Sequence, residues 1–373
     1  MAEVAVLGGA GEMGSVSVQD LVERTEHEVV VADVNTAACE ALARSLPRSV
    51  RIVRADVEDD RSLGGALEGA DVVVNATFMR WVPRVTRAAI DAGAHLVDLG
   101  AYWPETAEQL AMDGAAREAG CRIVPGCGVA PGLTNVLARR GADRLDEVDS
   151  VRFASYITHP LTTSPGIVYT RFDASTGTSL VLRDGELVEL PSFGEEEEVG
   201  FPPPYGAQRV HLVPHPEPLT LPQHLPGVRD VDFKVGYPEE DTRRLRALLE
   251  LGFDDAEPFE HAGARIVPRD FAAAFLGRRG LGGARTANVK RVELVGRAHG
   301  ERARIVYDFA TEAEGRSASS AITGTVAAIA AALVADGGGR LGVHPPEGAL
   351  DPSSVLDALA LRGFEVAETV TPI

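Results

Sequence analysis

Positive charge is in short supply in this chain. Its 55 acidic side chains outnumber its 36 lysines and arginines, leaving a formal net charge of −19. A nucleic-acid partner needs a basic face, so that class of partner is excluded. Cysteine is scarce too. Cys39, Cys121 and Cys127 form an odd set with no C-x-x-C pair, which argues against a disulfide framework and fits a reducing compartment. No apolar run reads as long enough to span a bilayer, and no basic leader precedes the first apolar run. A cytoplasmic protein with no membrane partner is expected. The closest approach to a metal-ligand cluster is His211, His215 and His224. Pro214 and Pro216 rule out a shared helical face, no carboxylate or cysteine cluster accompanies them, and no metal site is expected.

What is present is concentrated at the N-terminus. Val4-Ala5-Val6-Leu7 runs into Gly8-Gly9-Ala10-Gly11-Glu12-Met13-Gly14, then a helical stretch, then Val29-Val30-Val31-Ala32-Asp33. This is G-x-G-x-x-G between an apolar strand and a helix, with an acid about twenty positions on. Gly9 is expected to make the tight turn, Gly11 to let a pyrophosphate approach, and Gly14 to let the helix pack on the sheet. The helix-start amides of Glu12 and Met13 suit a phosphate. Asp33 suits a ribose diol and would repel a 2′-phosphate. Val34-Asn35 follow it in place of an arginine, so NAD is favoured, with NADP possible.

At 373 residues the chain has room for two domains. Short apolar runs at 4–7, 28–32, 50–53, 71–75, 95–99 and 122–125 alternate with helical patterns. They predict a doubly wound parallel sheet of the Rossmann type. Beyond about residue 148 the pattern changes. Strand-like runs at 151–157, 179–190, 228–235 and 289–309 indicate an inserted α+β domain with a mixed or antiparallel sheet. The Glu- and Pro-rich stretch 194–226 reads as an extended surface segment, with Glu195 to Glu198 solvated. The Ala-rich stretch 317–335 reads as a buried helix returning to the first domain. The expected division is 1–130 completed by 317–373, with 131–316 as a substrate and dimerisation domain.

The motif Val124-Pro125-Gly126-Cys127-Gly128-Val129-Ala130-Pro131-Gly132-Leu133 resembles the G-x-x-P-G-L/M segment of the saccharopine dehydrogenase-like family. Val181-Leu182-Arg183-Asp184-Gly185-Glu186-Leu187-Val188-Glu189-Leu190-Pro191, Phe233-Lys234-Val235-Gly236-Tyr237-Pro238 and Gly342-Val343-His344-Pro345-Pro346-Glu347-Gly348 are similar to it in the same order. Within that family the lysine 6-dehydrogenases look most alike. The resemblance implies an NAD(P)-dependent oxidoreductase acting on the C–N bond of a small amino acid or amine, working as a homodimer. Reductive coupling of an amine with an aldehyde or keto acid is the first alternative. A non-catalytic NAD-binding protein is the second. The Ser-Tyr-x-x-x-Lys and Glu-Lys-Pro elements of carbonyl and sugar oxidoreductases are absent.

Ligands in such sheets bind beyond the carboxyl ends of the strands. Cofactor contacts are therefore expected from Gly9, Gly11, Glu12, Met13, Gly14, Asp33, Val34, Asp56, Val57, Asn75, Ala76, Thr77, Asp98, Gly128 and Pro131. Asp98 ends the fifth run and could also take a substrate proton. In the second domain Tyr156, His159 and Arg171 are the substrate candidates, with His159 as a base near neutral pH and Arg171 as a fork for a carboxylate. Arg285 is a lesser carboxylate candidate. Thr158-His159-Pro160-Leu161 stands where the family carries Gly-Gly-Leu-Pro. Cys127 is read as a packed residue and not a nucleophile.

Overall fold

Six strands alternate with helices in the first 124 residues: β1 (Glu3–Leu7), β2 (Glu28–Asp33), β3 (Arg51–Arg54), β4 (Val72–Asn75), β5 (His95–Asp98) and β6 (Arg122–Val124). They pair in parallel in the order β3-β2-β1-β4-β5-β6. Helices cover both faces, so Val72, Val73 and Val74 are all fully buried and the strand shows no polar alternation. The strand order reverses between β1 and β4, which opens a crevice beyond their carboxyl ends. The computed structural model describes residues 1–100 and 102–373.

The second domain carries β7 (Glu147–Ile157), β8 (Thr178–Arg183), β9 (Glu186–Pro191), β10 (Glu197–Phe201), β11 (Gly206–Leu212), β12 (Asp230–Gly236), the small hairpin β13 (Phe259–His261) and β14 (Ala264–Ile266), β15 (Arg285–Ala298) and β16 (Glu301–Glu314). Central β7 runs parallel to β12 and antiparallel to β15, so the sheet is mixed. Two hairpins turn on left-handed pairs, Asp184 and Gly185 (φ 51° and 85°) and His299 and Gly300 (φ 54° and 81°), whose twist matches that of the flanking strands.

The helix Ala318–Ala335 lies between the two sheets, touching β4 and β5 on one side and β15 and β16 on the other. It is apolar all round because both sides are covered. By length and composition alone it would also pass for a membrane span, which corrects the expectation that no run was long enough. It is 78% buried inside the fold, the setting of a core helix. Two other expectations are corrected. Residues 194–226 are more than an extended surface segment: they form β10 and β11, an antiparallel pair at the edge of the second sheet, and then the short helix Glu217–Thr220. The C-terminal region divides: β17 (Gly342–Val343) joins β6 in the first sheet, whereas β18 (Ala367–Pro372) crosses back to pair with β16.

Candidate active site

The glycine loop forms where β1 ends. Gly8 has φ 71° and makes the turn, a role expected of Gly9. A Cβ on Gly9 would meet Val31 Cγ1 at 2.9 Å, so that position is empty to let β1 and β2 close. A Cβ on Gly14 would strike the Gly8 carbonyl, so the helix Gly14–Arg24 packs directly on the turn. The amides of Glu12, Met13 and Gly14 have no hydrogen-bond acceptor among the described residues. Unspent amides at the positive end of a helix fit a pyrophosphate. The Glu12 carboxylate turns away and accepts from the Ser164 hydroxyl at 3.1 Å.

Asp33 sits at the end of β2. Its Oδ2 accepts from the Ala10 amide at 3.2 Å and its Oδ1 from the Asn35 amide at 2.9 Å. It thus braces the loop while keeping lone pairs for a ribose diol. Val34 beside it is exposed. Asp56 caps the turn after β3, accepting from the Glu58 amide at 3.1 Å, and Val57 packs onto the core. The strand register adds a group that the local sequence did not reveal: Arg54 of β3 lies directly across from Asp33. These residues fit a bound dinucleotide from pyrophosphate to adenosine.

At the nicotinamide end, Asn75 is buried and its Oδ1 accepts from both the amide and the hydroxyl of Thr77, at 3.1 and 2.6 Å. Its Nδ2 has no partner among the described residues, a buried donor open to an acceptor. Ala76 approaches Gly8 so closely that a Cβ there would sit 2.8 Å from its carbonyl oxygen. Asp98 is corrected. It faces inward, fully buried, and its carboxylate accepts from the amides of Gly100 and Gly126 at 2.8 Å and from Gln109 Nε2 at 2.6 Å. Burial raises its pKa against the pull of those hydrogen bonds. It ties together the loops after β5 and β6 and does not reach substrate. Gly128 and Pro131 are packing joints in the same loop: Gly128 lies against the Leu99 carbonyl and Pro131 against Gly100 and Gly126. Between them Val129 and Ala130 face the open space. Burial, with Asp98 and Glu347 nearby, pushes the Cys127 thiol well up, so it stays protonated and inert.

A cavity of about 160 Å³ separates this loop cluster from the second sheet, with Met13 and Ala130 on one wall and Arg171, Tyr237, Asn288 and Lys290 among the others. The pleat explains the lining. Phe233 and Val235 on β12, Ile157 on β7, and Asn288 and Lys290 on β15 share one face. Tyr156 has the opposite parity. It packs on the far side of the sheet with Phe201 and Tyr205, at ring separations of 6.1 and 6.4 Å, and is no part of this site. Arg171 comes from the helix Pro165–Ser175, which Ser164 caps by accepting from the Ile167 amide. Its guanidinium lies 3.3 Å over the Tyr237 ring and donates one hydrogen bond, to the His159 carbonyl at 3.3 Å. Among the described residues no carboxylate pairs with it. A buried cation stacked on an aromatic and left without an anion suits a substrate carboxylate.

His159 lines the cavity but does not suit the role of a base near neutral pH. Burial and the adjacent Arg171 push its imidazole down to about 3, so it is neutral across the physiological range. Its Nδ1 is buried without a partner and is left as a hydrogen-bonding group. Arg285 is spent on Glu312 at the surface. Two groups in the cavity had escaped sequence reading, and a third, His215, had been weighed only as a metal ligand. The Lys290 ammonium donates to the Ser155 hydroxyl, and burial holds its pKa down to about 7. Asn288 gives its Nδ2 to Ser319 at 2.8 Å and keeps an unpartnered Oδ1. His215 stacks on Phe233 at 3.7 Å, with Nδ1 2.9 Å from the buried Glu217 carboxylate. The other two histidines go elsewhere: His211 stacks on Phe193 at 4.4 Å and His224 abuts Gly348.

Comparison with known proteins agrees with this geometry. The model of the saccharopine dehydrogenase NADP binding domain matches residues 4–124, and that of the saccharopine dehydrogenase C-terminal domain matches residues 128–364. The carboxyaminopropylagmatine dehydrogenase of Synechocystis sp. is 22% identical over 292 residues, covering 74% of this chain and 72% of its own. The apo structure of saccharopine dehydrogenase (L-Glu forming) from Saccharomyces cerevisiae superposes over 100% of both chains with TM-score 0.74 at 19% identity, a likeness of fold. With a dinucleotide cradle, a matching second domain and both family models covering the chain, the protein belongs to the saccharopine dehydrogenase family and is an NAD(P)-binding oxidoreductase of amino-acid C–N groups.

Proposed function

We propose that this protein oxidises or reduces the C–N bond of a small amine that carries a carboxylate, with the reacting carbon held between the glycine loop and the second sheet. The observation that carries this reading is Arg171, a buried guanidinium with no anion among the described residues, facing a cavity that Met13 of the glycine loop also lines. The bound dinucleotide supplies or accepts the hydride. Everything else falls to the chain. Arg171 orients the substrate by a charged fork that Tyr237 keeps flat. Asn288 Oδ1, fixed by the bond from Nδ2 to Ser319, accepts a hydrogen bond from the substrate nitrogen. Phe233, Val235 and Ile157 exclude water from the reacting centre. Lysine 6-dehydrogenase-like oxidation is the leading form. Reductive coupling of an amine with an aldehyde or keto acid is the second form, and the whole-chain likeness to the yeast saccharopine dehydrogenase favours it. NAD is the preferred dinucleotide on this reading, because the Asp33 carboxylate occupies the end of β2.

The test is absorbance at the reduced-nicotinamide band. The protein is incubated with NAD or NADP and amino acids, diamines and lysine derivatives. In the reverse direction it receives NADH or NADPH with an amine and a keto acid or aldehyde. Turnover confined to carboxylate-bearing amines is the expected result. Arg171→Met should then raise KM about 100-fold, the loss of a buried charged pair, while kcat stays within about tenfold. An unchanged KM removes Arg171 from the substrate.

A further inference from the structure

Of the 36 basic side chains in this protein only two are lysines, Lys234 and Lys290. Neither is at the surface, where lysine ordinarily serves: they are 5% and 3% exposed. The two differ in partners. Lys234 on β12 points away from the cavity, with Nζ 3.2 Å from Glu197 and 3.9 Å from Glu195, an ordinary ion pair. Lys290 has no carboxylate within 4.0 Å among the described residues, only the Ser155 hydroxyl from the neighbouring strand and the Phe233 ring at 5.7 Å.

A buried ammonium without an anion is expensive, and the inexpensive state is the neutral amine. Arginine could not serve at this position, since it does not give up its proton. The chain uses arginine for nearly every other cation and keeps lysine here, where the difference between them is the ability to titrate. The groups around Lys290 reinforce this. Arg171 and His159 share its cavity, and Lys290 itself helps hold the His159 imidazole down. Glu217, behind His215, is the counterweight that favours the charged form. Other proton carriers in the cavity are engaged or less suited, and His215 is held by Glu217 at 2.9 Å from its Nδ1. His159 is too weak a base, and burial raises the hydroxyls of Tyr102 and Tyr237.

Resting on the function proposed above, we propose that Lys290 is the group that exchanges a proton with the substrate nitrogen. In the oxidative direction a substrate ammonium loses an N–H proton to the neutral Nζ. Its lone pair then forms the C=N bond as the carbon's hydrogen leaves with its electron pair. In the reductive direction the charged Nζ returns that proton to the nitrogen as the hydride arrives. Ser155 positions the amine by its hydrogen bond.

The scarcity of lysine makes the test direct. Protein grown with ε-¹³C lysine gives two side-chain resonances, and Lys290→Met removes one of them. The Lys290 resonance should titrate with a midpoint near 7 in protein with no substrate present. A midpoint above about 9, close to that of an ordinary lysine, overturns the proposal. The second arm uses the amine that turns over in the absorbance screen. Lys290→Met should lower kcat by about 100-fold or more, leave NADH binding by fluorescence within about threefold, and abolish the pH limb near 7. That limb rises with pH for oxidation and falls for reduction. Lys290→Arg should not restore activity. An active wild type with Lys290→Met within about fivefold of it sinks the proposal alone. A wild type that binds NADH but turns over no amine sinks the function reading on which it rests.

Discussion

Glu347 shows at the scale of one residue how a buried acid makes stability depend on pH. Burial pushes its carboxyl up to about 7, with Glu217 adding to the rise, while Asn135 Nδ2 donates to it at 3.0 Å. In the unfolded chain a glutamate titrates near ~4.3. Between these values the folded state holds the extra proton, so folding stability falls as pH climbs through that window. The penalty is absent below about 4 and complete above about 7, of the order of 4 kcal/mol. Glu347→Gln keeps an acceptor for Asn135 and removes the charge. Its melting temperature should exceed the wild type's at pH 8, and the two should converge near pH 5. A wild type that melts higher at pH 8 contradicts the assignment. The residues legible in the sequence were those whose role is local: the glycine loop and Asp33 need only a strand, a turn and a helix. Arg171 was chosen by its chemistry alone, and it lines the cavity. Lys290 and Asn288 were missed because register across β7, β12 and β15 brings them to the cavity, and His215 because it enters from the segment after β11 to stack on Phe233. Tyr156 failed by the parity of a single position. Asp98 failed because Gln109, eleven residues on, draws its carboxylate inward. A count of lysines would have pointed to Lys290.

Between elements, the helix Ala318–Ala335 packs directly on the helix Gly14–Arg24. Ser17 Oγ donates to the Gly324 carbonyl at 2.8 Å, and a Cβ on Gly324 would meet the Met13 carbonyl oxygen at 2.5 Å and Val16 Cβ at 2.6 Å. Gly324→Ala should therefore force the helices apart, at about 1–3 kcal/mol. Met13 carries one of the phosphate-facing amides, so NADH affinity should fall with stability. Fluorescence titration and thermal melting check both, and a variant with lower stability but unchanged NADH affinity would uncouple the helix from the loop. The parallel strands were legible because burial on both faces makes each an unbroken apolar run. The two left-handed hairpin turns were legible from Asp184-Gly185 and His299-Gly300. The pair β10–β11 was not, because an edge strand with one wet face carries charge. Glu195, Glu196 and Glu197 are not idle in solvent: Arg183, Arg209, Arg246 and Lys234 meet them.

For the whole molecule, the chain passes repeatedly between its two sheets. It leaves the first after β6, returns through the helix Ala318–Ala335 to β17, and ends in the second at β18. One hydrophobic cluster accordingly spans Val4 and Val6 of β1, Phe153 of β7 and Tyr307 of β16. Two sheets sharing one core should unfold together, and calorimetry should record a single transition. Two resolved transitions would show that the sheets fold independently. The change of pattern near residue 148 was legible, but the final strand's return to the second sheet was not, since six residues carry no address. The placement of the two lysines has a last consequence. They lie on β12 and β15, the two strands flanking β7, so a protease that cleaves only after lysine has no site on the native surface. Each cut it makes records an opening of the second sheet's centre, which gives this protein an intrinsic clock for unfolding.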